Sequence, residues 1–172
     1  IVFARSPLFL MVKVAKIQKS FGRQIVLKDI SFEVSEGESV AIIGRSGTGK
    51  SVLIKHLVGL LNPDAGEVFI ESENLVGMAE RQLLKVRQKF GMLFQEAALF
   101  DSMNVFENIA FPLRRTGLTD AKEIKQRIQD VLGLVELSGT EEKLPSELSG
   151  GMKKRVGLAR AIVHHPKIIL YD

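Results

Sequence analysis

Residues 38–44 read ESVAIIG, a short and almost wholly apolar run ending in glycine, and the chain passes from it directly into GRSGTGKS, Gly44 to Ser51. Next comes VLIKHLVGLL, which reads as a helix that Asn62 and Pro63 bring to a stop. The apolar run suits a buried strand in the middle of a sheet covered on both faces. Strand, glycine loop and helix in this order restrict the chain to an α/β arrangement. In such an arrangement a helix N-terminus faces outward from the carboxyl end of a strand.

The residue types of the loop fit phosphate chemistry. Gly44, Gly47 and Gly49 let backbone amides turn inward, where side chains would block an approaching phosphate. Arg45, Ser46 and Thr48 complete the cradle between them. The helix N-terminus adds its dipole and its unpaired donors. Lys50 is placed to reach β and γ phosphates, and the Ser51 hydroxyl to ligate magnesium. A glycine-rich turn with a surface lysine is the plain alternative, and the strand–loop–helix context weighs against it.

Composition sets the outer bounds. A chain of 172 residues is of single-domain size and would bury roughly two-thirds of its unfolded surface. No run approaches the ~20 apolar residues of a membrane-spanning helix. Cysteine is absent, which excludes disulfides and thiolate metal sites and agrees with a reducing compartment. The net charge is +4 and the pI about 9.4, yet basic and acidic residues alternate, as on a solvated mixed surface. Residues 1–10, IVFARSPLFL, precede Met11 and lack the pattern of a signal peptide. Met11 is the expected natural start, with 1–10 an upstream extension or cloning remnant left out of the fold.

VKVAKIQKSF and VLKDISFEV read as period-two strands joined around Gly22 and Arg23. Further on, ELSGGMKKRVGLARAIVHHP supplies a second anion site. Ser149 is the expected N-cap, and Gly150 and Gly151 leave the first-turn amides uncovered. Met152, Val156, Ala159 and Val163 recur on one helical face. Between these motifs, TDAKEIKQRIQDVLGLVEL reads as a charged amphipathic helix capped by Thr119 or Asp120. Phe100, Phe106 and Phe111 are expected in the core, with a partner groove as the alternative.

The pair GRSGTGKS and LSGGM resembles the ATPase domain of ABC proteins, over nearly the whole chain from Met11. That resemblance implies an α/β P-loop NTPase fold of ABC type: a mixed β core, an antiparallel β subdomain and an inserted α-helical subdomain. The implied division is a nucleotide-binding core over 11–94, a helical subdomain over 95–148, and a signature helix with the Walker B strand over 149–172. The implied cofactors are ATP and Mg2+, and the implied dimer sandwiches each nucleotide between one subunit's P-loop and Ser149, Gly150 and Gly151 of the other. Phe21 matches the aromatic that stacks on adenine, with a core role as the alternative. Gln95 matches the glutamine that touches magnesium and the attacking water. IILYD matches the Walker B strand, with Asp172 as a metal ligand. In the family a catalytic glutamate follows directly and a histidine comes later. Neither is in the sequence, so the 172 residues alone are expected to bind nucleotide weakly without turning it over.

The wording GMLFQEAALFDSMNVFENIAFPLR, followed by PSELSGGM, is similar to the ATPase of Mla-type phospholipid transporters. This implies a protein peripheral on the cytoplasmic face of the membrane, working with a permease and an MCE-domain lipid-binding protein, with no nucleic acid expected. Importers of amino acids or other small solutes share much of the framework and are the alternative. ABC ATPases acting on chromosomes carry a long coiled coil between the two motifs; Lys50 and Ser149 are only 99 positions apart, without sustained heptads, which excludes that version. A translation-type member, acting on ribosomes, stays open.

Overall fold

The structure, a computed structural model, describes residues 9–95 and 97–172. The extension expected over 1–10 falls outside the described residues as far as position 8. Within the described residues, Leu10 opens the first strand and the Phe9 carbonyl accepts from the amide of Glu36, so positions 9 and 10 take part in the fold. Two compact units form, one ending at Arg87 and the other starting at Gln88.

In the first unit, β1 (Leu10–Phe21), β2 (Gln24–Ser35), β3 (Ala65–Ile70) and β4 (Glu73–Asn74) make an antiparallel sheet in the order β2-β1-β3-β4. Val12, Val14 and Ile17 of β1 are buried, although an ideal alternation would send position 17 to the other face. A register shift between Val14 and Ile17 inserts the extra residue, with Lys16 in a left-handed conformation. Helix α1 (Lys50–Leu57) packs on β3 and buries Leu53, Ile54 and Leu57. It stops four residues before the expected end, at a left-handed Gly59. Arg87, at the end of α2 (Glu80–Arg87), pairs with Glu80 and donates to the carbonyls of Val58 and Gly59, each at 3.0 Å. Carbonyls left over at the end of α1 are thereby satisfied.

The strand expected over 38–44 does not form. Residues 39–44 adopt neither helix nor strand, and Val40, Ile42 and Ile43 are exposed. A central parallel strand draws its stability from neighbours on both edges and helices on both faces. Among the described residues, no strand pairs with this one.

In the second unit, β5 (Phe90–Leu93) pairs in parallel with β6 (Ile168–Tyr171). The helices are α3 (Val105–Arg115), α4 (Ala121–Leu134) and α5 (Gly150–Ile162). Ile109, Leu113, Ile128, Leu132 and Val156 form their shared core. Each such side chain contributes roughly 1.5–3 kcal/mol of transfer free energy. Asp120, rather than Thr119, caps α4 by accepting from the amides of Lys122 and Glu123. The strand β6 is parallel as expected but half open, with Ile169 and Tyr171 exposed. Gly91 lets α5 lie directly on β5, since a Cβ there would stand 2.1 Å from the Ala161 carbonyl oxygen.

Candidate functional site

The glycine loop ends in Gly49, whose φ of 96° belongs to the left-handed region. A side chain there would also meet Val26 and Leu27 of β2 at about 3 Å, so only glycine starts α1 at this place. No side chain caps α1, and its first turn carries no acidic residue. Instead the Lys50 ammonium folds back over the loop, donating to the carbonyls of Gly44 at 2.8 Å and Arg45 at 2.9 Å. The Arg45 carbonyl also accepts from the amide and hydroxyl of Thr48. Arg45, Ser46, Gly47 and Ser51 are exposed around this turn. A cation beside an uncapped helix N-terminus is chemistry that fits an anion and opposes a cation.

The second helix start follows the same logic. Pro145–Glu147 form one 3-10 turn, in which the Glu147 carboxylate accepts from the Leu144 amide. Buried Leu148 then pins the chain, and Ser149 caps α5 as expected, accepting from the Met152 amide at 3.3 Å. Gly150 and Gly151 are exposed, with open space where side chains would stand. Again the first turn has no acidic residue.

Gln95 and Asp172 are brought together at one sheet edge. Gln95 lies in the turn leaving β5, and Asp172 follows β6, its amide donating to the Leu93 carbonyl at 3.0 Å. Because β5 and β6 are parallel neighbours in register, both side chains belong to the carboxyl edge, where α/β sheets place ligand chemistry. Phe21 sits at the β1–β2 hairpin and is 48% exposed, which rules out a core role. The ammonium of Lys19 lies 5.7 Å from its ring centre, so one ring face is already used by a cation.

The three phenylalanines divide. Phe106 packs against the helical core. Phe100 and Phe111 are both partly exposed, their rings 5.0 Å apart, and with Phe90, Phe94, Arg160 and His164 they line a cavity of about 420 Å³. Arg160 was not foreseen from the sequence. Its guanidinium donates to the carbonyls of Ala97 and Ala98, in the loop that carries Gln95.

Magnesium prefers oxygen ligands and keeps several waters, binding through one or two carboxylates together with phosphate. Gln95 and Asp172, on one sheet edge, are donors of that kind, and at the start of α1 the Ser51 hydroxyl is another. Among the described residues, no group of three or more His, Cys, Asp or Glu side chains is placed to hold a metal ion. Oxygen donors of this kind suit a hard cation such as magnesium rather than a softer metal.

Similarity to known proteins points the same way. The family model described as ABC transporter matches residues 27–172. The "Probable ribonucleotide transport ATP-binding protein mkl" of Mycobacterium leprae is 44% identical over 168 residues, covering 98% of this chain and 48% of its own length. The "Methionine import ATP-binding protein MetN" of Legionella pneumophila is 42% identical over 162 residues, covering 94% of this chain and 47% of its own. The chain thus spans about half the length of the curated relatives it matches. Among solved structures, the dimeric post-hydrolysis state of the ATP-binding cassette MJ0796 with ADP and Pi superposes with a TM-score of 0.85 at 34% identity, covering 94% of this chain and 73% of that one. With its phosphate loop, its second glycine-rich helix start and a family match over most of its length, the chain belongs to the ABC transporter family.

Proposed function

We propose that this chain is the nucleotide-binding part of an ABC transporter ATPase that couples ATP binding and hydrolysis to movement of a phospholipid. The observation that carries the nucleotide reading is Lys50, an ammonium placed on the glycine loop at an uncapped helix start. In this reading Lys50 and the amides of α1 bind phosphate, and Ser51 and Asp172 hold magnesium. Gln95 orients water beside Asp172, and Phe21 offers its free ring face to adenine. Ser149, Gly150 and Gly151 serve the nucleotide of a second copy. Magnesium, when bound, would neutralise charge on the phosphates.

A charge-assisted phosphate contact is worth roughly 1.5–3 kcal/mol. Lys50→Ala is therefore expected to weaken binding of a fluorescent ATP analogue at least about tenfold, and equal affinities would refute the assignment. Ser149→Arg tests the partnership in trans. A bulky cation at the helix start should leave nucleotide affinity intact while abolishing ATP-dependent dimers on sizing chromatography. Unchanged dimers would remove the sandwich from this reading.

The phospholipid is supported by the Mla-like wording around Gln95 and Ser149. The methionine-import relative supports the second reading, a small-solute importer. Reconstituting the intact transporter in vesicles separates them: Lys50-dependent transfer of a labelled phospholipid supports the first, and Lys50-dependent uptake of labelled methionine the second. In either reading the partners are a membrane permease and, for lipid, an MCE-domain protein, with the ATPase on the cytoplasmic face.

A further inference from the structure

The turn after Gln95 is held in an unusual backbone state. Ala97 and Ala98 are consecutive non-glycine residues with φ of 59° and 46°. Such conformations persist only where the surroundings enforce them. Two features of α5 do so. The Arg160 guanidinium donates to the Ala98 carbonyl at 2.8 Å and to the Ala97 carbonyl at 2.6 Å, spending its planar fork on both strained residues. One turn earlier, Gly157 leaves room for fully buried Ala97. A Cβ at position 157 would stand 3.0 Å from the Ala97 Cβ and from the Leu93 Cδ1. Arg160 is itself fixed, with its guanidinium 5.8 Å from the centre of the Phe100 ring. Burial lowers its pKa below the usual arginine value, so its place there is maintained against desolvation.

We propose that Arg160 is a positioning residue for Gln95: by fixing the carbonyls of Ala97 and Ala98 it sets where the glutamine side chain is presented beside Asp172. This rests on the ATPase reading of the site. Arg160 acts through the loop, since both of its hydrogen bonds go to backbone carbonyls there. Without its two bonds the turn relaxes toward ordinary backbone angles, and Gln95 loses its place while the phosphate loop keeps its own.

The test uses the intact protein and measures ATP turnover, nucleotide affinity and amide exchange. Arg160→Met keeps the apolar stem and removes the donors. It should lower kcat by about tenfold to a hundredfold, the range expected when a catalytic group is displaced by about an ångström, with KM and nucleotide affinity nearly unchanged. In a Gln95→Ala background the same change should cost nothing further, because both variants remove one function. Arg160→Lys, which can still bond one carbonyl, should recover part of kcat, and it serves in place of Arg160→Met if the latter fails to fold. Amide exchange at Ala97, whose N–H donates to the Phe94 carbonyl at 2.9 Å, should quicken in both Arg160 variants. Multiplicative losses in the double variant, or unchanged kcat in a folded Arg160 variant, would overturn the proposal alone. Turnover indifferent to Lys50→Ala would overturn the ATPase reading, and this proposal with it.

Discussion

His164 shows how a single side chain can report on its surroundings. Its Nε2 lies 3.0 Å from the Phe90 carbonyl, so that nitrogen carries the proton, and its buried Nδ1 has no hydrogen-bond partner. Burial lowers its pKa below the ordinary histidine value, the neighbouring His165 adds to that, and the bond to Phe90 opposes it. The folded state thus resists a proton that the unfolded chain accepts near pH 6.5. Stability carried by neutral His164 is complete above that pH and falls away as pH drops through the lower folded value. His164→Gln removes this slope. Urea midpoints of the two proteins at pH 8, 6 and 5 should diverge toward acid, the parent losing more; parallel curves would mean the ring is solvated. Legibility at this scale follows the reach of each interaction. The Ser149 cap could be read from the sequence because its partner is a backbone amide three positions on, whereas Lys50, expected to reach phosphate, here bonds the carbonyls of its own loop. Arg160 could not be read, since its partners are carbonyls 62 and 63 positions away.

At the scale of elements, α3 gives the sharpest test of what fixes a helix. Asn104 accepts from the Glu107 amide at 2.8 Å, and the Glu107 carboxylate accepts from the Asn104 amide at 3.1 Å. This reciprocal cap starts the helix where it does. One turn on, buried Asn108 accepts from the Phe100 amide at 2.8 Å and donates to the Phe100, Met103 and Asn104 carbonyls. Asn104→Ala should cost about 1 kcal/mol, as for other caps. Asn108→Ala should cost more, because it leaves a cavity and orphans the Phe100 amide, worth about 1–3 kcal/mol alone. Chemical denaturation ranks the two, and the reverse order would show that Asn108 does not anchor the entering loop. The sequence carried the Asn104–Glu107 signal, but the phenylalanines around it and Pro112 hid the helical spacing. Conversely, β1 and β2 were readable because a two-residue turn at Gly22 and Arg23 pairs them locally. A strand over 38–44 was read from apolar character alone, which cannot say whether a neighbour is present to pair with it.

Over the molecule as a whole, the order of motifs was legible while the pairing of strands distant in sequence was not, since such pairing depends on which edges meet and not on any one segment. The consequence is an unusual surface. Val40, Ile42 and Ile43 are 49%, 39% and 93% exposed, in a stretch without charge between Glu38 and Arg45. A six-residue run with three β-branched side chains, no proline and no charge has the character of segments that associate edge to edge. The net charge of +4 over 172 residues gives little repulsion against this at ordinary salt. On its own this chain should therefore associate progressively at micromolar concentration, faster as salt rises. Ile43→Lys places a charge at the most exposed position of the run, where no packing is lost, and should slow the growth of light scattering several-fold without altering the melting temperature. Tyr171→Lys, on half-open β6, makes the parallel experiment in the other unit. Slowing by Ile43→Lys alone locates association in residues 39–44; slowing by Tyr171→Lys alone would move it to the β5–β6 sheet and refute the role given to the exposed run.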